Sequence, residues 1–315
     1  MDPKLHLSFV IPVYNEEATL AQLFEGITNA VKEANLGPFE TIFIDDGSKD
    51  GSWDAIVQLK ASHPEIVHGL RFRRNIGKAA ALQAGFGEAQ GKVIITMDAD
   101  LQDEPSEIQK FIQKLDEGFD VVSGWKQVRQ DPFSKTLPSR FFNFATRAAS
   151  GVKLHDFNCG FKAYRAAATR NLDLYGELHR YIPVLLNADG FSVAEIPISH
   201  NRRTHGVSKY GWSRLVKGCI DLVTVIVITR YLKRPGHFFG GFGLLSGMTG
   251  FGILVFLSFQ KLAYGLNFGT RPLFFLGILL IIFGVQLVST GLIGELLNFN
   301  AQNKRRLSEI IDEKL

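Results

Sequence analysis

The sequence predicts an α/β domain built on a mostly parallel sheet, followed by interfacial helices and a two-helix transmembrane hairpin. Three observations carry that prediction. Short β-rich runs alternate with helical patterns from residue 5 to about residue 125, two long charge-free runs follow residue 234, and a basic amphipathic stretch lies between.

The strands come first in the argument. LSFVIPV (7–13), FETIFIDDG (39–47), IVHGLRF (66–72) and KVIITMDAD (92–100) are short, apolar and rich in β-branched and aromatic residues. TLAQLFEGITNAVKEA (19–34), WDAIVQLKASH (53–63) and GKAAALQAGFGEAQ (77–90) separate them with helical patterns. Such alternation reads as βαβ units whose parallel sheet is covered on both faces. Ligands of these sheets sit at the carboxyl ends of the strands, which here carry Tyr14-Asn15-Glu16, Asp45-Asp46-Gly47-Ser48 and Asp98-Ala99-Asp100.

The second half has a different composition. No Asp, Glu, Lys or Arg occurs in residues 235–260 or 272–294, and each run exceeds the ~20 residues that cross a bilayer core. Between domain and hairpin, YGWSRLVKGCIDLVTVIVITRYLKRPG has an uncharged stretch of only residues 222–229, which suits an interfacial segment, with a third spanning helix as the competing arrangement. Arg230, Lys233 and Arg234 before the hairpin and Lys304, Arg305 and Arg306 after it outnumber Lys261 and Arg271 in its loop. Both termini are therefore expected on the cytosolic side. The expected division is 1–208 catalytic domain, 209–235 interfacial helices, 236–298 hairpin and 299–315 basic cytosolic tail.

Composition narrows the class. The 315 residues are 46% hydrophobic with net charge +4, an excess that points to an anionic partner but is too small to choose between nucleic acid, phosphate and membrane. Cys159 and Cys219 have no CxxC or Cys/His spacing, so neither a disulfide framework nor a zinc site is expected. LHLSFVIPVYNEE is too short and too quickly acidic for a signal peptide. No GxGxxG follows the first strand and no GxxxxGK[ST] occurs, which argues against dinucleotide-binding and P-loop readings.

The candidate chemistry is that of phosphates and a hard cation. Asp98 and Asp100, two apart at a strand end, are expected to face the same way and, with the Gln102 amide, to hold Mg²⁺ or Mn²⁺. Solvated acids or a cap of the helix opened by Asp103-Glu104-Pro105 is the plainer alternative. Asp45-Asp46-Gly47-Ser48 reads either as a turn, with Asp46, Ser48 or Asp50 capping the helix that starts near Ser52, or as a place where Asp45 and Asp46 meet a nucleobase, ribose or metal shell. Arg73-Arg74-Asn75-Ile76-Gly77-Lys78 leads into a small-residue helix, so cations and a helix N-terminus converge in a way that suits a diphosphate. His155, His179 and His205 lack metal-ligand spacing and read as ordinary polar residues.

PVYNE (12–16), DDGS (45–48), RNIGK (74–78), DADLQ (98–102), NCGFKAYR (158–165) and RTHGVSKY (203–210) occur in this order. Together they resemble the family 2 glycosyltransferases of GT-A fold, and more narrowly the polyisoprenyl-phosphate glycosyltransferases, whose GtrB-like branch carries a similar hairpin. The resemblance implies that Pro12, Tyr14, Glu16 and Asp45 line a nucleoside pocket, with Asp46, Lys78 and Ala99 beside it. It implies that Asp98, Asp100 and Gln102 bind metal and diphosphate, and that Arg203 and Lys209, with neighbouring Arg202, close over phosphates from the membrane side. Many relatives carry an arginine where this chain has Lys126, which keeps the charge without the bidentate fork. Arg140, before the aromatic run Phe141-Phe142-Asn143-Phe144, is a further candidate for the acceptor phosphate.

The expected reaction is an inverting transfer of one sugar to a polyisoprenyl phosphate, with UDP-glucose and undecaprenyl phosphate as the expected pair and GDP-mannose as the alternative donor. A phosphate monoester, with a second pKa of about 6, is already an anionic nucleophile at neutral pH, so Asp156 could orient the acceptor, act as base, or be simply a loop or capping carboxylate. QxxRW, typical of processive relatives, is absent. An inactive nucleotide-sugar-binding scaffold is disfavoured by the intact DADLQ, and a nucleotidyltransferase by PVYNE in place of a glycine- and lysine-rich loop. Gly240, Gly241, Gly243 and Gly247 permit close helix packing compatible with a homo-oligomer.

Overall fold

The computed structural model describes residues 6–127, 143–148, 150–199, 235–265 and 272–309, the last twelve of these by backbone alone. The chain divides into two compact units, residues 1–225 and 226–315. In the first, the elements follow as β1 (Leu7–Val13), α1 (Leu20–Glu33), β2 (Phe39–Asp45), α2 (Ser52–Ser62), β3 (Val67–Arg71), α3 (Lys78–Glu88), β4 (Val93–Thr96), α4 (Ile108–Asp116) and β5 (Val121–Lys126). They continue as β6 (Lys162–Arg165), α5 (Ala166–Thr169), a 3₁₀ turn at Leu178–Tyr181, α6 (Ile182–Ala188) and β7 (Val193–Ile198). The expected strands and helices up to β4 are all present within a few residues of their predicted bounds.

Seven strands form one sheet in the order β3-β2-β1-β4-β6-β5-β7. Every pairing is parallel except those of β6, which runs antiparallel to β4 and to β5. Thr96 and Ser123 both pair with Lys162, so the chain entering β6 reaches the edge at which β4 and β5 leave. Apolar side chains cover both faces. One layer gathers Phe9, Ile11, Phe43, Ile95 and Phe161 with Leu23 and Ile27 of α1 and Phe111 of α4. The other gathers Val10, Ile42, Ile44 and Tyr164 with Leu82 and Phe86 of α3. Each fully buried side chain of this size contributes about 1.5–3 kcal/mol.

Pro12 lies inside a central strand, where proline normally removes a ladder donor. Its nitrogen faces the β4 side, because Val10, two residues earlier, accepts from Met97 N–H there. The β1–β4 pairing ends at Val10–Thr96. Proline at position 12 therefore costs no sheet hydrogen bond, and the strand end is left open beside β4.

The second unit contains α7 (Pro235–Tyr264) and α8 (Pro272–Glu309), with residues 235–264 and 272–297 long and apolar enough to cross a membrane. The helices pack antiparallel through glycines. A Cβ on Gly243 would lie 2.6 Å from the Gly284 carbonyl oxygen and one on Gly250 2.5 Å from that of Gly277. Ser246 Oγ donates to the Leu280 carbonyl at 2.8 Å, a backbone partner reachable only at this close approach.

This packing separates two neighbouring glycines. Gly250→Val should lower the thermal midpoint in detergent by the equivalent of about 1–3 kcal/mol through overpacking. Gly252→Val, where a Cβ would meet nothing within 4 Å, should leave the midpoint near wild type, and equal midpoints for the two variants would contradict the contact.

Candidate active site at the carboxyl edge of the sheet

The loops after β1 and β2 are joined by short polar side chains. Asn15, at φ 56°, donates its N–H to Ser48 Oγ at 2.9 Å and accepts from Lys49 N–H through Oδ1 at 2.8 Å. Glu16 N–H donates to Ser52 Oγ at 2.9 Å, and Glu17 Oε2 accepts from Gly51 N–H at 2.9 Å. The left-handed Asn15 turns the chain sharply at the strand end, which leaves Tyr14 and Glu16 half-buried at the edge. Gly51 is the N-cap of α2 and makes no side-chain cap bond, while Asp50, one residue earlier, accepts from Ser52 N–H through Oδ1 at 3.1 Å.

Asp45 is fully buried; its Oδ1 accepts from Ser48 N–H at 2.9 Å and its Oδ2 lies 3.2 Å from Arg71 Nε. Asp46 reaches the neighbouring loop, accepting from Ile76 N–H at 2.7 Å and Gly77 N–H at 2.9 Å. The two N–H groups that precede α3 are thus taken by a side chain. Lys78, the first residue of α3, is one of the cations at the edge. Between the aspartates and this loop, Gly47 is required twice over. Its φ is +70°, and an added Cβ would lie 2.6 Å from the Arg74 carbonyl carbon.

The DADLQ segment departs from its expected geometry. β4 ends at Thr96, residues 99–100 form a turn and Leu101 adopts φ 59°. Asp98 and Asp100 therefore do not share the face of an extended strand; a turn, stabilised by Asp100 Oδ1 accepting from Gln102 N–H at 3.2 Å, sets their directions. Ala99 between them is buried in the core. Lys78 Nζ donates to Asp98 Oδ1. Burial alone would raise the Asp98 pKa, but the Lys78 ammonium, then Lys126, outweigh it and hold the carboxyl at about 2. Burial would likewise discharge Lys78, and the Asp98 charge keeps its pKa above the usual value.

A second ion pair lies beside the first. Lys126 Nζ is 2.9 Å from Asp103 Oδ1, with side-chain exposures of 14% and 0%. Burial opposes the Lys126 charge, and Asp103 overrides it to raise the pKa. Lys126 thus stands at the edge as a partnered cation. Across from it, the loop entering β6 packs on Asp98: a Cβ on Gly160 would lie 2.5 Å from Asp98 Oδ2, and Thr96 Oγ1 donates to the Gly160 carbonyl at 2.8 Å. Buried Lys162 donates to the Cys159 carbonyl. Cys159 is buried, which pushes its thiol up to about 12 and leaves it unreactive. Asp156, 1% exposed, accepts from Asn158 N–H at 3.0 Å, so the loop-capping contact is present at the candidate acceptor or base residue.

These observations gather Pro12, Tyr14, Glu16, Asp45, Asp46, Lys78, Asp98, Ala99, Asp100, Gln102 and Lys126 on the loops and strand ends of one sheet edge, with the Asp156 loop against Asp98. Arg140, Arg202, Arg203 and Lys209 lie outside the described residues, as does segment 209–234. Asp103, Lys162 and Glu195 are structural partners that sequence reading did not single out as site residues. Asp103 had appeared only as a helix opener. A lone acid within the apolar run VAEIPI was the available signal for Glu195.

For Mg²⁺ or Mn²⁺, the donor set is two carboxylates and an amide. Among the described residues no group of three or more His, Cys, Asp or Glu side chains converges as an all-protein cage. Hard cations that carry substrate phosphates use one or two carboxylates and complete their shell from the phosphates and water, so Asp98, Asp100 and Gln102 fit a metal that binds with a diphosphate.

A mostly parallel sheet with acids on the loops at its carboxyl edge is an architecture that binds ligands at that edge. The sequence model of "Glycosyl transferase family 2" matches residues 8–173, and the chain belongs to that family. It is 37% identical over 297 residues to a dodecaprenyl-phosphate galacturonate synthase of Rhizobium johnstonii, covering 93% of this chain and 88% of the relative. It is also 37% identical over 294 residues to an undecaprenyl-phosphate 4-deoxy-4-formamido-L-arabinose transferase of Pseudomonas aeruginosa, covering 92% and 84%. Among solved structures, glucosyl-3-phosphoglycerate synthase from Mycobacterium tuberculosis with Mn²⁺ and UDP-Glc matches at TM-score 0.53 and 18% identity. It covers 71% of this chain and 79% of that one, which establishes the shared GT-A fold.

The Asp46 clamp has a measurable weight. Asp46→Ala removes two hydrogen bonds to a charged acceptor and should destabilise the protein by about 2–4 kcal/mol. Asp46→Asn retains one acceptor and should lose less. Denaturant or thermal unfolding in detergent decides, and a neutral Asp46→Ala would show that the 74–78 loop holds its position without the clamp.

Proposed function

We propose that this glycosyltransferase moves one sugar from a nucleotide-sugar to a polyprenyl phosphate at the cytosolic face of a membrane. The observation that carries the reading is the Asp98–Lys78 pair at the carboxyl edge of the sheet, in a chain that ends in two apolar helices. Similarity over 93% and 92% of this chain to two enzymes named for polyprenyl-phosphate acceptors supports the lipid substrate. A uridine-linked hexose, glucose first, is the proposed donor. The relatives' names add galacturonate and 4-deoxy-4-formamido-L-arabinose as sugars to compare.

Asp98, Asp100 and Gln102 would hold the divalent ion, which when bound supplies charge stabilisation to the departing diphosphate. Lys78 leaves Asp98 for the phosphates as they arrive, and the loops bearing Pro12, Tyr14, Glu16, Asp45 and Ala99 enclose the nucleoside, with Asp46 fixing the basic loop beside it. The acceptor phosphate needs orientation more than deprotonation, since it is anionic at neutral pH. Asp156 serves that orientation, with Lys126, Arg140, Arg202, Arg203 and Lys209 as the cations that offset the repulsion between two anionic substrates. The proposed division is 1–208 as the catalytic domain, 236–298 as the hairpin and 299–315 as a cytosolic tail, with the expected interfacial segment 209–235 lying outside the described residues up to residue 234. Two spans return the chain to its starting side, and the excess of cations flanking the hairpin over those in its loop supports the cytosol as that side.

Purified protein with polyprenyl phosphate and a panel of UDP- and GDP-sugars should transfer one sugar per lipid, lose activity in EDTA and regain it with Mg²⁺ or Mn²⁺. Asp100→Ala should lower kcat by about 10²–10³-fold, as removal of a group that stabilises transition-state charge does. Full turnover in EDTA would refute the metal assignment, and nucleotide rather than sugar on the lipid would refute the reaction class. Reporter tags at residues 2 and 315 should both read cytosolic; opposite sides would establish a third span.

A further inference from the structure

We propose that Glu195 is a positioning residue of this active site, fixing the turn that presents Asp156; the inference rests on the glycosyl-transfer reading above. Glu195 sits within β7, opposite Ser123 of β5 in the sheet register, with its side chain only 9% exposed. Its oxygens are used by one short segment. Oε1 accepts from the N–H groups of His155 and Asp156, both at 2.9 Å. Oε2 accepts from His155 N–H at 2.9 Å and lies 2.8 Å from His155 Nδ1.

A carboxylate suits this place because it brings acceptors and no donor. A glutamine would set its own NH₂ against one of these groups. The geometry extends beyond a staple between strand and loop. Trp125, at the end of β5, stacks on the His155 ring at 4.2 Å and 16°, so the start of the loop is held by two adjacent strands. Its far end is held separately, by Lys162 on the Cys159 carbonyl and by Thr96 on that of Gly160. Asp156 lies directly after His155, and its backbone N–H is itself one of the groups Glu195 binds. The orientation of the Asp156 carboxylate therefore depends on a residue that belongs to the sheet.

The test is a double-mutant cycle on the full chain in detergent, using the nucleotide-sugar that wild type accepts. kcat, KM for the donor and thermal midpoint are measured for E195Q, D156N and E195Q/D156N. A misplaced reacting group costs about 10²-fold, so E195Q should lower kcat by that order with donor KM nearly unchanged. The double variant should be no slower than the slower single, because residues acting as one unit are non-additive. Glu195→Asp keeps the charge on a shorter stem, and it should lower kcat at a wild-type midpoint even if E195Q folds poorly. Multiplicative losses in the cycle, wild-type kcat in Glu195→Asp, or losses that only follow the midpoint would overturn the inference. A wild type that transfers no sugar from any donor would overturn the functional reading and this inference with it.

Discussion

A carboxylate taken out of water must meet a cation or a set of N–H donors, and the carboxyl edge of this sheet is arranged around that requirement. Asp98 meets Lys78, Asp103 meets Lys126, Asp45 meets Arg71, and Asp46 meets two backbone N–H groups. Asp98 stays ionised against its burial because the Lys78 ammonium, then Lys126, lie beside it. Asp98 can then hand its cation to an incoming phosphate group without first losing a proton. Charge exchange between fixed partners needs little reorganisation, which is the physical basis of electrostatic preorganisation.

The loops that carry these groups are stiff for a related reason. Asn15, Ser48, Asp50 and Ser52 are short side chains that bond to backbone groups of neighbouring turns, a habit that makes such residues poor in helix interiors and good at strand ends. Gly47 lets one loop backbone touch another, and Gly160 lets a third lie flush on Asp98. Contact at the level of backbone transmits position with no rotamer freedom between. The sheet, through Glu195 and Thr96, therefore sets the position of groups that lie on loops.

Much of this was legible in the sequence. Alternating apolar runs gave the strands and helices through β4, and the charge-free stretches gave α7 and α8, because burial on two faces and length of an apolar run are written in local composition. The turn at Asp98–Asp100 was not legible. KVIITMD reads as continuous strand, whereas pairing with β1 stops at Val10 and β4 stops with it. The insertion of β6 was also hidden: KAYR is four residues beginning with a lysine that is buried among backbone carbonyls. The Asp103–Lys126 and Glu195–His155 pairs join positions far apart in the chain, and no local pattern marks either.

The place of β6 also bears on how the chain is made. Synthesis proceeds from the N-terminus, and β4 and β5 have no contact in the sheet until residues 162–165 enter between them. Until then β4 offers an open edge of unpaired N–H and C=O groups, the kind of edge on which foreign strands add. The nascent domain must hold that edge uncovered while some thirty-five further residues emerge after β5. Once β6 arrives it joins β5 to the sheet and brings Gly160 onto Asp98 in the same event, leaving only β7 to add at the far side of β5. A ribosome-bound fragment ending before residue 162 would thus be both sticky and without the floor of its own active site, which makes the insertion of β6 a checkpoint for competence.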